Sequence, residues 1–299
     1  MSDDGLAAAE AMLTGALDGA PEPLREPCRR LAEADGERLR ARLVLAVAGQ
    51  AWPGASRRTA TAAAAVELLH LAMRVRDDLL ADAPARNGTP TINAKEGPAV
   101  ALLAGDLLIG LANRLAAAAG AGAVLGDALT EVCAGHTLAA DNRLPADLSA
   151  ATALRIAQLR TGTLLAAAGR LGAIVTGAPE DGLRDYGLAA GAALHVLDDV
   201  RDLLDDDAPG DPGIVTLPAV HAIAAHPQLR RLLRPGVTGA ERERGRDLLR
   251  TGVPAALTTV DELTDRAAAA RPDLADLTKK YRDSRLARLL PRYRALLSS

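Results

Sequence analysis

Apolar residues along the chain recur at helical spacing far more often than in alternation. Leu39, Leu43, Ala46 and Val47 share one face, and Val66, Leu69, Met73 and Leu80 share another. Leu102, Leu103, Leu107 and Ile109 lie in a third apolar helix. Further helices are predicted over 126–140, 150–176, 181–204, 216–224, 240–267 and 273–297. Few stretches alternate as strands do, β-branched residues are sparse, and no fixed-period repeat appears. Breaks are short: Pro53-Gly54, Pro145, Gly177-Ala178-Pro179 and Pro235-Gly236. The pattern predicts an all-α fold in one domain over 1–299, because no linker sets off a second.

Composition supports helices. Hydrophobic residues make up 49% of the chain but aromatics only 1%, namely Trp52, Tyr186, Tyr281 and Tyr293. Ala, Leu and Val therefore supply the core, which suits close-packed helices. Lys and Arg number 35 against 38 Asp and Glu, a net charge of −3 that excludes a global field for nucleic acid. Two cysteines, Cys28 and Cys133, do not make a disulfide framework; Cys133 reads as a small core residue. The acidic start lacks a signal peptide's basic region, and the run Leu115–Leu125 is too short and glycine-rich to span a bilayer. The expectation is a cytoplasmic protein with no membrane span.

Two acidic clusters carry the candidate chemistry. Asp198, Asp199 and Asp202 stand at i, i+1 and i+4 of an otherwise apolar helix. Asp198 and Asp202 are then about 40° apart around the axis, one turn from each other. Stacked carboxylates repel unless a cation lies between them, and hard oxygens suit Mg²⁺, which typically bridges protein to phosphate. Upstream, Asp77 and Asp78 repeat the theme, with Asp78 and Asp82 as the one-turn pair because position 81 is Ala. Each cluster precedes a Gly/Pro-rich loop, 82–91 and 205–213, of the kind that closes over a charged ligand. Arg74, Arg76 and Arg86 surround the first, as a phosphate-binding region needs.

The ordered set of motifs resembles the trans-isoprenyl diphosphate (polyprenyl) synthases. Glu67-Leu-Leu-His70, Asp77-Asp78, Arg86-Asn-Gly88-Thr-Pro90-Thr91 and Leu103-Ala-Gly105-Asp106 follow that family's first Asp-rich region. Tyr186-Gly187, Gly191 and Leu194-His-Val-Leu-Asp198-Asp199-Val-Arg-Asp202 are similar to its second. Arg160-Thr161 stands in place of its Lys-Thr pair, Thr216-Leu217-Pro218 matches its Thr-Leu-Pro, and Gly36-Glu37-Arg38-Leu39-Arg40 resembles its N-terminal basic segment.

The resemblance implies the isoprenoid synthase fold, a helical bundle around a central hydrophobic cavity. It also implies a homodimer or heteromer and three Mg²⁺ ions holding an allylic prenyl diphosphate between two facing Asp-rich helices. By that resemblance Asp77, Asp78, Asp198, Asp199 and Asp202 are metal ligands, with Asp82 a substitute ligand. Arg86 and Arg160 contact the allylic diphosphate and Thr161 lies beside the reacting centre. Arg38, Arg40 and His70 belong to the second substrate, and Ala72 and Met73 to control of product length.

The chain departs from the pattern unevenly. The first motif's last aspartate is Ala81 and its histidine is Arg76; on the isopentenyl diphosphate side a lysine is Glu37 and an arginine is Asn87. The ionising half is thus better preserved than the acceptor half. The leading expectation is a prenyltransferase. A class I terpene cyclase is an alternative, with few aromatic faces for its cations. A non-catalytic subunit of a heteromer is another. The basic C-terminal stretch from Lys279 reads as a solvated amphipathic helix.

Overall fold

The structure, a computed structural model, describes residues 3–49, 57–86, 88–142, 149–204, 216–234 and 236–297. Asn87, Trp52, Pro53-Gly54, Pro145, Pro235 and the whole 205–213 loop lie outside them. Among the described residues the fold is helical apart from a single two-stranded pair, as expected. The chain divides into two compact units: Met1–Thr130 with Leu164–Arg184, and Glu131–Thr163 with Asp185–Ser299.

The first unit is organised on helix α4 (Arg57–Leu80). It packs against α1 (Asp3–Asp18), α3 (Leu39–Ala48) and α6 (Pro98–Ala118). Every residue from Thr59 to Leu69 is buried, so α4 has no solvent face over that stretch. Its run Ala62–Ala65 lets neighbouring backbones approach closely, while Leu68, Leu69 and Leu71 fill the space between them. Burying each of those leucines is worth about 2 kcal/mol relative to exposure. Val66, Leu69 and Met73 are buried as expected, but Leu80 is 67% exposed because the helix ends there. Helix α2 (Glu22–Ala34) and the short α5 (Ile92–Glu96) also pack on α6.

In place of a plain loop after α4, β1 (Ala85–Arg86) pairs antiparallel with β2 (Thr89–Pro90). This pins Arg86 in a defined position. Helix α6 buries Ala101, Ala104 and Leu108 but leaves Leu102 and Leu103 more than half exposed. By length and composition it could cross a membrane, with mean hydropathy 1.6, and only 33% of it is buried. The run 115–125 is itself divided between the end of α6 and the start of α7 (Gly122–Asp141). Helix α6 packs on α2, α4 and α5.

The second unit takes α7 (Gly122–Asp141) from Glu131 onward and α10 (Leu183–Leu204) from Asp185 onward. The predicted helix 150–176 is interrupted: α8 (Ala150–Ala157) leads into a π-helical turn, Gln158–Gly162, before α9 (Thr163–Thr176). The predicted helix 240–267 is likewise two helices, α13 (Gly239–Arg250) and α14 (Val253–Ala270). The break falls at Gly252, where a Cβ would lie 1.9 Å from the Pro218 carbonyl oxygen. Pro218 is on α11 (Leu217–Ala225), whose Ala222 and Ile223 form a small core with Leu229 of α12 (Leu229–Leu232).

Helix α15 (Ala275–Leu297) closes the unit. The Thr278 hydroxyl on α15 donates to the buried Tyr186 oxygen of α10 at 2.7 Å. Neither cysteine is in a disulfide; Cys28 is buried, and Cys133, expected in the core, is exposed, because it falls on the open side of α7.

Candidate active site

Helix α10 runs unbroken through Asp198, Asp199 and Asp202, so the three carboxylates keep the one-turn spacing the sequence predicts. Asp198 Oδ1 accepts from Arg285 Nη1 at 2.7 Å and Arg201 Nη1 at 3.2 Å. Burial alone would raise the Asp198 carboxyl, but the two guanidinium groups hold it below the usual range. Arg201 also binds Asp202 Oδ1, through Nε at 3.0 Å and Nη2 at 2.8 Å.

Asp199 has a different environment. Burial pushes its carboxyl well above the usual range, and the Asp202 and Asp198 charges add to the effect. The Arg160 charge and the Leu217 N–H oppose it without prevailing. A carboxylate crowded in this way ionises readily only when further positive charge arrives.

The π turn supplies the other wall. Residues Arg160 and Thr161 sit inside it, where the wider i→i+5 winding displaces them from ordinary helical positions. Thr161 Oγ1 shares a 2.8 Å hydrogen bond with His195 Nδ1, and His195 Nε2 stands 3.8 Å from Asp199 Oδ1. Close approach of the turn to α10 depends on two glycines. A Cβ at Gly191 would lie 2.4 Å from the Gly162 Cα, and one at Gly162 would lie 2.9 Å from the Leu188 backbone.

Two participants went unassigned from sequence. His195 had a usable signal, since it precedes Asp199 by one turn on the same face. Arg285 had none beyond the basic character of the tail. The expected solvated helix instead places Arg285 partly buried against Asp198 and the Leu194 carbonyl.

In the first unit the acidic cluster is arranged otherwise. Helix α4 stops at Leu80, the Ala83 N–H bonds back to the Asp78 carbonyl at 2.9 Å, and Asp82 takes a left-handed conformation (φ 47°). Asp78 and Asp82 are therefore not a stacked one-turn pair. Asp78 is buried and accepts from Arg86 Nε at 2.7 Å, whereas Asp82 accepts from Asn93 Nδ2 at 2.9 Å. Burial raises the Asp78 carboxyl, and Arg86 offsets only part of that. Asp77 is half-buried next to them.

Among the described residues no three His, Cys, Asp or Glu side chains converge to enclose an ion by themselves. The crowded Asp198, Asp199 and Asp202 fit a divalent cation by donor type and by charge.

The residues expected near a second substrate are also distributed unevenly. Arg38 sits at φ 47° with its side chain buried, donating to the Ala32 and Asp35 carbonyl oxygens at 2.8 and 2.5 Å. His70 Nε2 lies 2.8 Å from Asp35 Oδ2. Glu67 is buried and accepts the Ala41 N–H at 2.8 Å. Ala72 and Met73 are both buried in α4.

Comparison with known proteins gives a consistent result. The family model for polyprenyl synthetase matches residues 21–248. A nonaprenyl diphosphate synthase of Mycobacterium tuberculosis is 32% identical over 290 residues, covering 91% of this chain and 86% of its own. Component 2 of a heptaprenyl diphosphate synthase from Geobacillus stearothermophilus is 34% identical, covering 75% and 74%. The crystal structure of a polyprenyl synthase from Caulobacter crescentus, complexed with calcium and isoprenyl diphosphate, superposes with a TM-score of 0.87. It is 26% identical and covers 95% of this chain and 94% of its own.

The fold is accordingly of the isoprenoid synthase type, and neither the cyclase nor the non-catalytic reading is favoured by these relatives. With 228 consecutive residues matched (21 through 248), the chain belongs to the polyprenyl synthetase family and is a prenyltransferase.

Proposed function

We propose that the chain ionises an allylic prenyl diphosphate in a Mg²⁺-dependent step and transfers the prenyl group to isopentenyl diphosphate or another acceptor. The observation that carries this reading is the crowding of Asp198, Asp199 and Asp202 on α10, where the part-buried Asp199, its side chain 18% exposed, has its ionisation opposed by Asp202 and Asp198. Such a group is destabilised alone and stabilised by a bound cation. The calcium and isoprenyl diphosphate in the Caulobacter crescentus structure are consistent with it.

Asp198, Asp199 and Asp202, together with Asp77, Asp78 and, less directly, Asp82, are the carboxylates proposed to hold Mg²⁺, three ions by family resemblance. Bound there, the ions neutralise the departing diphosphate and so lower the barrier to C–O cleavage. Arg86 and Arg160 orient the diphosphate oxygens. Thr161, fixed by His195, lines the reacting centre. Arg38, Arg40 and His70 are the groups proposed on the acceptor side, and Arg38 also braces the end of α2. Ala72 and Met73 are proposed to limit product length.

The coverage of the matched structures supports treating 1–299 as a single functional domain. The uncovered Leu102 and Leu103 face of α6 supports a homodimer, with a heteromer as the variant that the name of the Geobacillus stearothermophilus relative suggests. A cytoplasmic location is proposed with it.

The test is incubation with Mg²⁺ and farnesyl diphosphate, with and without isopentenyl diphosphate. Longer prenyl diphosphates only when both are present support chain elongation. Hydrocarbon or alcohol products from farnesyl diphosphate alone contradict prenyl transfer.

A further inference from the structure

The carboxylates of α10 are met by guanidinium groups from three elements of the second unit. Arg201 lies on α10 itself and binds both Asp198 and Asp202. The Arg160 charge acts on Asp199 from the π turn. Arg285 comes from α15, 87 residues beyond Asp198 in the chain. Its Nη1 donates to Asp198 Oδ1 at 2.7 Å and to the Leu194 carbonyl oxygen at 3.2 Å. Leu194 precedes Asp198 by one turn, so this guanidinium lies along the face of α10 that carries the cluster. The Arg285 side chain is 20% exposed against 39% for Asp198. A charge withdrawn that far from water acts on its neighbours more strongly than a solvated one.

Arg285 and Arg201 both donate to the same oxygen, Asp198 Oδ1. A carboxylate oxygen offers two lone pairs, so a cation that takes Oδ1 must displace a guanidinium. A cation that reaches Asp198 from another side still approaches Arg285, and like charges so close repel. Arg201 can let go of Asp198 and keep Asp202, because it already binds both. Release of Arg285 instead breaks a contact between two helices, α10 and α15.

We propose that Arg285 is a displaceable counter-ion: it holds Asp198 while the cluster is without metal, and a divalent cation binding at Asp198 releases it. Cation loading and the α15 contact then compete for one carboxylate. The proposal rests on the reading of Asp198 as a metal ligand. By linkage the competition is reciprocal: the cation weakens the Arg285 contact, and the Arg285 contact weakens the cation.

The test is Mn²⁺ binding to the full chain, followed by electron paramagnetic resonance of the free ion with no diphosphate present. Arg285→Gln removes the charge and keeps a hydrogen-bond donor. It should bind Mn²⁺ roughly tenfold more tightly than wild type, and the gain should vanish when Asp198→Ala is added. Equal or weaker Mn²⁺ binding by folded Arg285→Gln, or a gain that survives Asp198→Ala, would overturn the proposal alone. No Mn²⁺ bound by either protein, or binding that Asp198→Ala does not weaken, would overturn the metal reading as well. Should circular dichroism show Arg285→Gln unfolded, wild type decides. Its amide exchange across residues 281–289 should quicken at saturating Mn²⁺, and unchanged exchange would overturn the proposal.

Discussion

The two acidic clusters began from nearly the same residue pattern and ended as different objects. On α10 the helix continues past Asp202, so Asp198, Asp199 and Asp202 stay crowded on neighbouring positions. On α4 the helix ends at Leu80, Asp82 swings into a left-handed turn, and Asp78 and Asp82 bind Arg86 and Asn93 separately. The contrast teaches that helix continuation, more than the count of aspartates, decides whether the carboxylates stay crowded together. Both clusters are partly neutralised by arginines of their own unit, Arg285 and Arg201 at the α10 cluster and Arg86 beside α4. What differs is that the α10 carboxylates stay adjacent and that Asp202 and Asp198 oppose ionisation of Asp199.

The largest effect expected from this contrast is at Asp199. Asp199→Asn should lower Mg²⁺-dependent turnover by about 10³-fold, roughly 4 kcal/mol of transition-state stabilisation, with fold retained by circular dichroism. A loss below about tenfold would remove the distinction between the clusters.

The next test concerns pH. The folded His70 value of about 4 lies below the unfolded value of roughly 6.5, so the folded state binds fewer protons between them. Its contribution is present above pH 6.5 and is lost as pH falls toward 4. The loss amounts to roughly 3 kcal/mol in unfolding free energy. Denaturant titrations of wild type and His70→Gln across that window should show the wild type losing more.

Gly191→Ala should cost about 2 kcal/mol of stability, read as a lower denaturant midpoint. The new Cβ would meet the Gly162 backbone, which cannot rotate away as a side chain can. It should also reduce turnover by displacing the π turn that carries Arg160 and Thr161. The smallest effect is expected on the first unit: Asp82→Ala should change turnover by less than about threefold, under 1 kcal/mol. A loss there as large as at Asp199 would mean the two clusters act alike.

Much of this was legible in the sequence, and for identifiable reasons. Periodicity located α4, α6 and α10, because each carries an apolar pattern long enough to read. The carboxylates of α10 were legible because a regular helix fixes their spacing. What escaped depended on tertiary contact. The π turn at Gln158–Gly162 leaves no mark on periodicity; it exists because Gly162 packs on Gly191.

The break at Gly252 is set by the Pro218 carbonyl, 34 residues away in sequence (252 − 218). Arg285 reaches Asp198 across 87 residues, and Asp35 reaches His70 across 35 (70 − 35), so neither pairing could be read locally. Leu80 and Asp82 were assigned to a helix that ends between them, a boundary decided by the backbone turn rather than by residue type.

The central claim is that the carboxylate cluster on α10 drives ionisation of a prenyl diphosphate. Its most direct test is pyrophosphate release from farnesyl diphosphate, measured across a Mg²⁺ titration for wild type and for folded Asp198→Ala. Release that rises with Mg²⁺ in wild type and falls to the uncatalysed background in the variant is the predicted result. Full Mg²⁺-dependent release by Asp198→Ala would contradict the account.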